Sequence, residues 1–265
     1  MTRHRIGRYL RALLTGEGRL FALRHTRLYF MQRYKDFNVS LHGEQFRGID
    51  SASFIFMYEE IFNKQQYDFV PEVAQPRIID GGANIGLSVL YFKSRFPESS
   101  ILAFEPDPSV FDVLRRNVEV QSLSGIELHN KALGAERGFA SFSSTGSDSG
   151  RVTSGVGGCN IRVEVDTLKD YLNQPVDLLK LDIEGGEYDV ISSSEKQLSN
   201  VKRIFVEYHS FAGETQKLGE LLTILGNSGF RYYLETAGFT NRTPFLENRT
   251  VAGMDCQINI FATRV

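Results

Sequence analysis

The stretch Ile78-Ile79-Asp80-Gly81-Gly82-Ala83-Asn84-Ile85-Gly86 decides the fold. An apolar run enters a glycine turn, and an amphipathic segment leaves it. Strand, turn and helix in that order collect backbone amides around a ligand at the carboxyl end of a parallel sheet. Gly82 removes the Cβ that would block close approach, and Asn84 tolerates left-handed backbone angles almost as glycine does. Gly86 lets the helix pack tightly on its strand.

The flanking chain repeats this strand–helix rhythm. Arg77–Ile79 reads as a buried strand and Ile85–Arg95 as a helix, with Ile85, Val89 and Phe92 on one face and Pro97 ending it. Ile101–Phe104 is a second strand. The next helix starts at Asp107-Pro108, a cap with proline in the first turn, and runs to Val120. Ile126–His129, Val176–Leu181 and Arg203–Glu207 are further strands, Glu214–Ser228 is a helix ended by Gly229, and Phe230–Leu234 and Gln257–Thr263 are closing, antiparallel strands. Gly138–Phe142 and Ile161–Val165 form an inserted hairpin. Between them, twelve of the eighteen residues of Ser143–Asn160 are Gly, Ser or Thr, which predicts a mobile loop acting as a lid over an acceptor.

The turn excludes two common ligands. A nicotinamide site needs G-x-G-x-x-G, and Ala83 stands where glycine is required; no Gly-Lys-Ser/Thr follows to make a phosphate loop. The acid Asp80 at the strand end suits a ligand with an ammonium group rather than a pyrophosphate. S-adenosylmethionine carries an amino-acid moiety and a sulfonium, so an acidic pocket suits it. Glu105, at the tip of the second strand, is placed to accept both ribose hydroxyls. Asn130, Lys131 and Ala132 end the third strand, where adenine is expected.

With Ala-Phe-Glu-Pro-Asp-Pro at 103–108 and Leu-Lys-Leu-Asp-Ile-Glu-Gly-Gly-Glu at 179–187, the glycine turn resembles the FkbM family of methyltransferases over about residues 50–263. The resemblance implies a Rossmann-like class I methyltransferase: a doubly wound α/β fold with a seven-stranded, mostly parallel sheet and a C-terminal antiparallel strand. It also implies O-methylation of a hydroxyl on a sugar, a glycolipid or polysaccharide unit, or a polyketide. The expected cofactor residues are Asp80, Gly81, Gly82, Ala83, Asn84, Glu105, Pro106, Asn130 and Ala132. Residues 50–265 form the methyltransferase domain, and 1–49 a basic, helical extension.

Asp182, Glu184 and Glu187 crowd three carboxylates into the end of the fourth strand, and strand alternation sends Lys180, Asp182 and Glu184 to one side. Such repulsion persists only with a cation, protons or a functional demand. An alcohol is a poor nucleophile at neutral pH, so a general base is wanted. Asp182, Glu184 and His209 are the catalytic candidates, with Asp182 and His209 competing for the base. Asp182, Glu184 and Glu207 also offer hard oxygen ligands for Mg2+, although spacing does not show that they converge.

Composition bounds the rest. No apolar run reaches the ~18 residues of a membrane span. Cys159 and Cys256 form no metal or disulfide framework, so a reducing, cytoplasmic compartment is the default. Residues 1–35 hold nine Lys/Arg against Glu17 alone, while the remainder carries 21 basic and 31 acidic side chains. An acidic body argues against nucleic acid as partner. Ile6, Tyr9, Leu10, Leu13 and Leu14 recur at helical spacing among arginines, which fits a helix docked on the body, a homodimer contact or peripheral attachment to an anionic membrane. Two rival functions remain open. A non-catalytic adenosine-nucleoside binding module needs no second acidic cluster, and an NAD-dependent oxidoreductase needs a different glycine spacing and a Tyr-x-x-x-Lys pair.

Overall fold

The computed structural model describes residues 9–10, 13, 16–143, 151–153, 160–239, 243–247 and 249–264. Its central sheet has seven strands: β3 (Arg77–Gly81), β4 (Ser100–Phe104), β5 (Ile126–His129), β10 (Leu178–Leu181), β11 (Arg203–Phe211), β12 (Phe230–Thr236) and β13 (Met254–Arg264). They lie side by side in the order β12-β13-β11-β10-β3-β4-β5. The pairings from β11 through β5 are parallel, and β13 runs antiparallel to both of its neighbours. This is the class I methyltransferase arrangement. The order reverses direction between β3 and β10, and ligands bind at the carboxyl ends beside such a switch point.

The sequence signals act locally as physics requires. Asp107 caps α5 (Pro108–Val120) by accepting from Ser109 N at 2.8 Å, with proline in the first turn. Gly229, at φ +84°, ends α6 (Leu218–Asn227). The helix after the glycine turn, α4 (Leu87–Arg95), is buried at every position from Leu87 to Lys93 rather than on one face. Its outer side is covered by the N-terminal part of the chain; Phe62 meets Tyr91 edge-on at 5.3 Å.

That N-terminal part contains α1 (Gly16–Arg24), α2 (Thr26–Phe30), a hairpin of β1 (Phe37–Leu41) and β2 (Glu44–Gly48), and α3 (Ser51–Tyr58). A π-helical turn, Glu59–Asn63, continues α3. Phe21, Leu28, Tyr29, Phe37 and Phe46 belong to the same core as Phe54, Ile78, Leu87 and Phe92, so this segment completes one face of the sheet. The opposite face is packed by Ile79, Leu179, Leu181, Val206, Leu221 and Ile260. Of the amphipathic stretch at the N-terminus, Ile6, Leu14 and Arg3, Arg5, Arg8 and Arg11 lie outside the described residues. Tyr9 and Leu13 pack against the core. Among the described residues no helix is long and apolar enough to cross a membrane.

The inserted hairpin is part of a four-stranded sheet. β7 (Gly138–Ser143) pairs antiparallel with β9 (Asn160–Thr167), Phe142 opposite Ile161. β6 (Ala132–Gly134) adds parallel to β9, and β8 (Arg151–Thr153) adds to β7. β8 corrects the expectation of an unbroken loop over Ser143–Asn160; residues 144–150 and 154–159 lie outside the described ones.

Candidate active site

The glycine turn is built against the end of β10. A Cβ on Gly82, at φ +82°, would stand 1.8 Å from the Asp182 carbonyl oxygen, so only glycine fits. Asn84 takes the left-handed conformation at φ 50°. Gly86 (φ +92°) makes its close approach to Leu114 of α5 rather than to the strand. The expected ring of free amides does not form. Gly82 N and Ala83 N donate to the Phe104 carbonyl at 3.0 and 2.9 Å, and Asn84 N donates to Glu105 Oε2 at 3.0 Å. The end of β4 and the residue after it supply those acceptors, so the turn offers a ligand its open surface instead of its donors.

Asp80 is fully buried and faces neither cavity described below. In register with Lys180 on β10, its Oδ1 lies 3.0 Å from Lys180 Nζ, and its Oδ2 accepts from the Ser88 hydroxyl at 2.6 Å. Lys180 Nζ also donates to the Gly82 carbonyl at 2.8 Å. Burial lowers the Lys180 pKa, but the Asp80 and Asp182 carboxylates outweigh that and raise it. The pair fastens the turn to β10, so the Asp80 charge is matched inside the protein.

A narrow cavity on the β4 side is lined by Gly82, Asn84, Glu105, Pro106, Lys131, Ala132, Phe142, Asp182 and Glu184, among others. The Glu105 carboxylate accepts from Asn84 N and, through Oε1, from Asp107 N at 2.9 Å. Burial pushes its pKa up to about 8 despite those bonds. Gly81 and Asn130 stand apart from the cavity. Gly81 packs against Leu181 and Leu133, and Asn130 donates through Nδ2 to the Glu105 and Pro106 carbonyls, bracing the loop after β4.

Gly82, Asn84, Asp182 and Glu184 are shared with a larger cleft of about 580 Å³, to which Ala83 also contributes. One wall comes from the N-terminal segment, with Phe56, Met57, Glu60, Ile61, Lys64 and Tyr67; the other comes from β11–β13, with Glu207, Glu235, Gln257 and Asn259. The loop flank Phe142 belongs to the narrow cavity. The segment that closes the large cleft is the β12–β13 connection, with Ala237–Phe239 and Val251–Ala252.

The acids at the end of β10 converge with His209. The strand stops at Leu181, and Glu184, at φ 60°, turns back toward β11, so simple alternation fails there. His209 lies inside β11, not after it, because β13 pairs along that strand's whole length. Its Nδ1 is 3.1 Å from Glu187 Oε1, which also accepts from Gly185 N at 2.9 Å; Nε2 lies 3.7 Å from Glu184 and 3.8 Å from Glu207. Gln257 donates to Glu207 and sits 3.3 Å from His209 Nε2. Burial lowers the His209 pKa, but Glu187 first, then Glu184 and Asp182, raise it well above its ordinary value. Burial raises Asp182 and pushes Glu184 and Glu207 up to about 8, with neighbouring carboxylates adding to the rise. Asp182, Glu207 and His209 bring donor atoms within 4.8 Å of one another; Glu184 is outside that set.

Sequence reading missed Tyr67, Glu60, Glu235, Gln257 and Asn259. The available signal was two polar residues at alternating positions of the closing strand, where apolar ones would face a core.

Comparison with known proteins agrees with this frame. Methyltransferase 1 of Beauveria bassiana is 29% identical over 207 residues, covering 68% of this chain and 82% of its own. Methyltransferase sdnD of Sordaria araneosa is 31% identical over 205 residues, covering 63% and 79%. The 2-O-methyltransferase NoeI of Sinorhizobium fredii is 25% identical over 159 residues, covering 52% and 65%. A crystal structure of an FkbM methyltransferase from Methylobacillus flagellatus aligns with a TM-score of 0.48 at 16% identity, covering 77% of this chain and 47% of that one. The profile described as "Methyltransferase FkbM domain" matches residues 80–232, from the buried Asp80 through the acidic cluster and His209 into β12. The chain therefore belongs to the FkbM methyltransferase family.

Proposed function

We propose that the protein transfers a methyl group from S-adenosylmethionine to a hydroxyl of a small molecule, in particular a sugar or a glycolipid or polysaccharide unit. The observation that carries this reading is the pair of adjoining cavities that share Gly82, Asn84, Asp182 and Glu184. The narrow one holds adenosine, with Glu105 on the ribose. The cofactor's ammonium lies against Glu184 and favours its ionised form, which leaves Asp182 to the acceptor side. The wide cleft takes the acceptor, whose hydroxyls meet the carboxylates and amides of Glu207, Glu235 and Asn259. The name of the Sinorhizobium relative, a 2-O-methyltransferase, supports an oxygen acceptor.

The acceptor oxygen attacks the methyl carbon, and the carbon–sulfur bond breaks with its electrons going to sulfur. The hydroxyl proton passes to Asp182, which faces both cavities. Burial has already raised its pKa toward the working range of a base. His209 carries a proton in this electrostatic setting and lies behind the cleft wall, so it positions the carboxylates rather than accepting the acceptor's proton. Incubation with methyl-labelled S-adenosylmethionine and a panel of sugars, nucleotide-linked sugars and glycolipids, followed by mass analysis, should place label on oxygen. On the acceptor so found, Asp182→Asn should lower kcat and kcat/KM together by about 10²–10⁴-fold with cofactor affinity nearly intact. Loss of cofactor affinity alone would remove Asp182 as the base.

A further inference from the structure

The row of side chains on the cleft face of β11–β13 does more than line a wall. Glu207, Asn259 and Glu235 are in register across three strands, Glu207 opposite Asn259 and Asn259 opposite Glu235. Positions 205, 207 and 209 of β11 and 257, 259 and 261 of β13 share that face, because the intervening residues pack into the opposite core. Asn259 is only 5% exposed, and its Oδ1 takes no hydrogen bond from the protein. A buried carbonyl oxygen without a donor is unfavourable unless a ligand satisfies it. It lines the same cleft as Asp182 and Glu207, whose carboxylate oxygens lie within 4.8 Å of each other and of a His209 ring nitrogen.

We propose that Asp182, Glu207 and His209, with Asn259 Oδ1 beside them, form a binding site for a divalent cation on the acceptor side of the cleft. Two carboxylates, an amide oxygen and one imidazole suit an ion that takes mixed oxygen and nitrogen donors, such as Mn2+. His209 contacts Glu187 through Nδ1, the outer carboxylate that fixes a ligating imidazole, and the ion takes the place at Nε2 now held by its proton and the Gln257 amide. Among the described residues, the cations paired with Asp182, Glu184, Glu187 and Glu207 are Lys180 and His209, and Lys180 also pairs with Asp80, so a divalent ion adds positive charge to the cluster. Resting on the methyl-transfer reading, the ion's role is to hold the acceptor hydroxyl and lower its pKa. One Asp182 oxygen can ligate while the other takes the proton.

The test is titration of the full-length protein with MnCl2, following loss of the free Mn2+ signal by electron paramagnetic resonance, with and without S-adenosylhomocysteine. One saturable site per chain is expected. Glu207→Gln and Asp182→Asn should each weaken it by more than about tenfold. Glu235→Gln should leave it unchanged, since β12 lies two strand spacings, about 10 Å, from β11. Circular dichroism shows which variants are folded, and the two ligand variants back each other up. Absence of saturation up to millimolar Mn2+, unchanged affinity in the folded ligand variants, or an equal loss in Glu235→Gln would overturn the site. Binding of S-adenosylhomocysteine, measured calorimetrically on the same samples, separates the two readings. If it binds while Mn2+ does not, the ion site fails and methyl transfer stands.

Discussion

Single residues carry the site because each is held by a partner that the fold brings alongside. Lys180 neutralises Asp80, Glu187 holds His209, and Glu105 ties the glycine turn to the loop after β4. Glu105 is the sharpest case, since one carboxylate supports the turn and lines the narrow cavity. Above about pH 8, where Glu105 is ionised, its replacement by alanine should weaken S-adenosylmethionine binding by about 1.5–3 kcal/mol, the range for hydrogen bonds to a charged group. Isothermal calorimetry reads this directly, and unchanged affinity would remove Glu105 from the cofactor site. Gly82, Asn84, Glu105 and Asp182 were legible in the sequence because their conformations or strand-end positions follow from nearby residues. Lys180 as the partner of Asp80 was not, since that pairing exists only once β10 lies beside β3. Gln257 and Asn259 were hidden for the same reason: their place in the cleft depends on β13 inserting between β11 and β12.

At the scale of elements, the glycine turn, the Asp107-Pro108 cap and the hairpin of β7 and β9 could be read from local pattern, and a seven-stranded, mostly parallel sheet with a C-terminal antiparallel strand followed from the family resemblance. The N-terminal segment shows where local reading stops. Its basic composition pointed to a helical extension, yet Phe21, Ala22, Leu28 and Tyr29 are buried in the core shared with α4, and a hairpin follows them. Phe21 and Leu28 alone each contribute about 1.5–3 kcal/mol by burial. Deleting residues 1–35 should therefore lower the Tm sharply and promote aggregation. Thermal denaturation of the truncation checks this; a stable, monodisperse 36–265 fragment would show that the segment is dispensable. The cleft wall made by Phe56, Met57 and the π-helical turn would remain in the truncation, so loss of stability and loss of acceptor recognition can be told apart.

For the molecule as a whole, buried carboxylates make stability depend on pH with a definite sign. Glu105, Glu184 and Glu207 titrate near 8 in the folded chain and near 4.5 when unfolded, so the unfolded state holds fewer protons between those values. Stability from these groups is full below about 4.5 and is lost as pH rises through 8. The raised His209 pKa acts in the same direction, with its contribution present below about 6.5 and lost as pH rises above neutral. The cofactor-free protein should thus melt at progressively lower temperature from pH 6 to 9, at about 2–4 °C per kcal/mol for a chain of this size. Glu207→Gln should flatten that decline, and a wild-type Tm that rises over the same range would contradict the burial of these charges. In the proposed function the same acidic junction receives a cationic cofactor, and this makes one comparison decisive. Calorimetric titration with S-adenosylmethionine, S-adenosylhomocysteine and NAD should give one site per chain for the first two and no binding for NAD. Saturable binding of NAD, or no binding of either methionine-derived ligand by folded protein, would contradict the account.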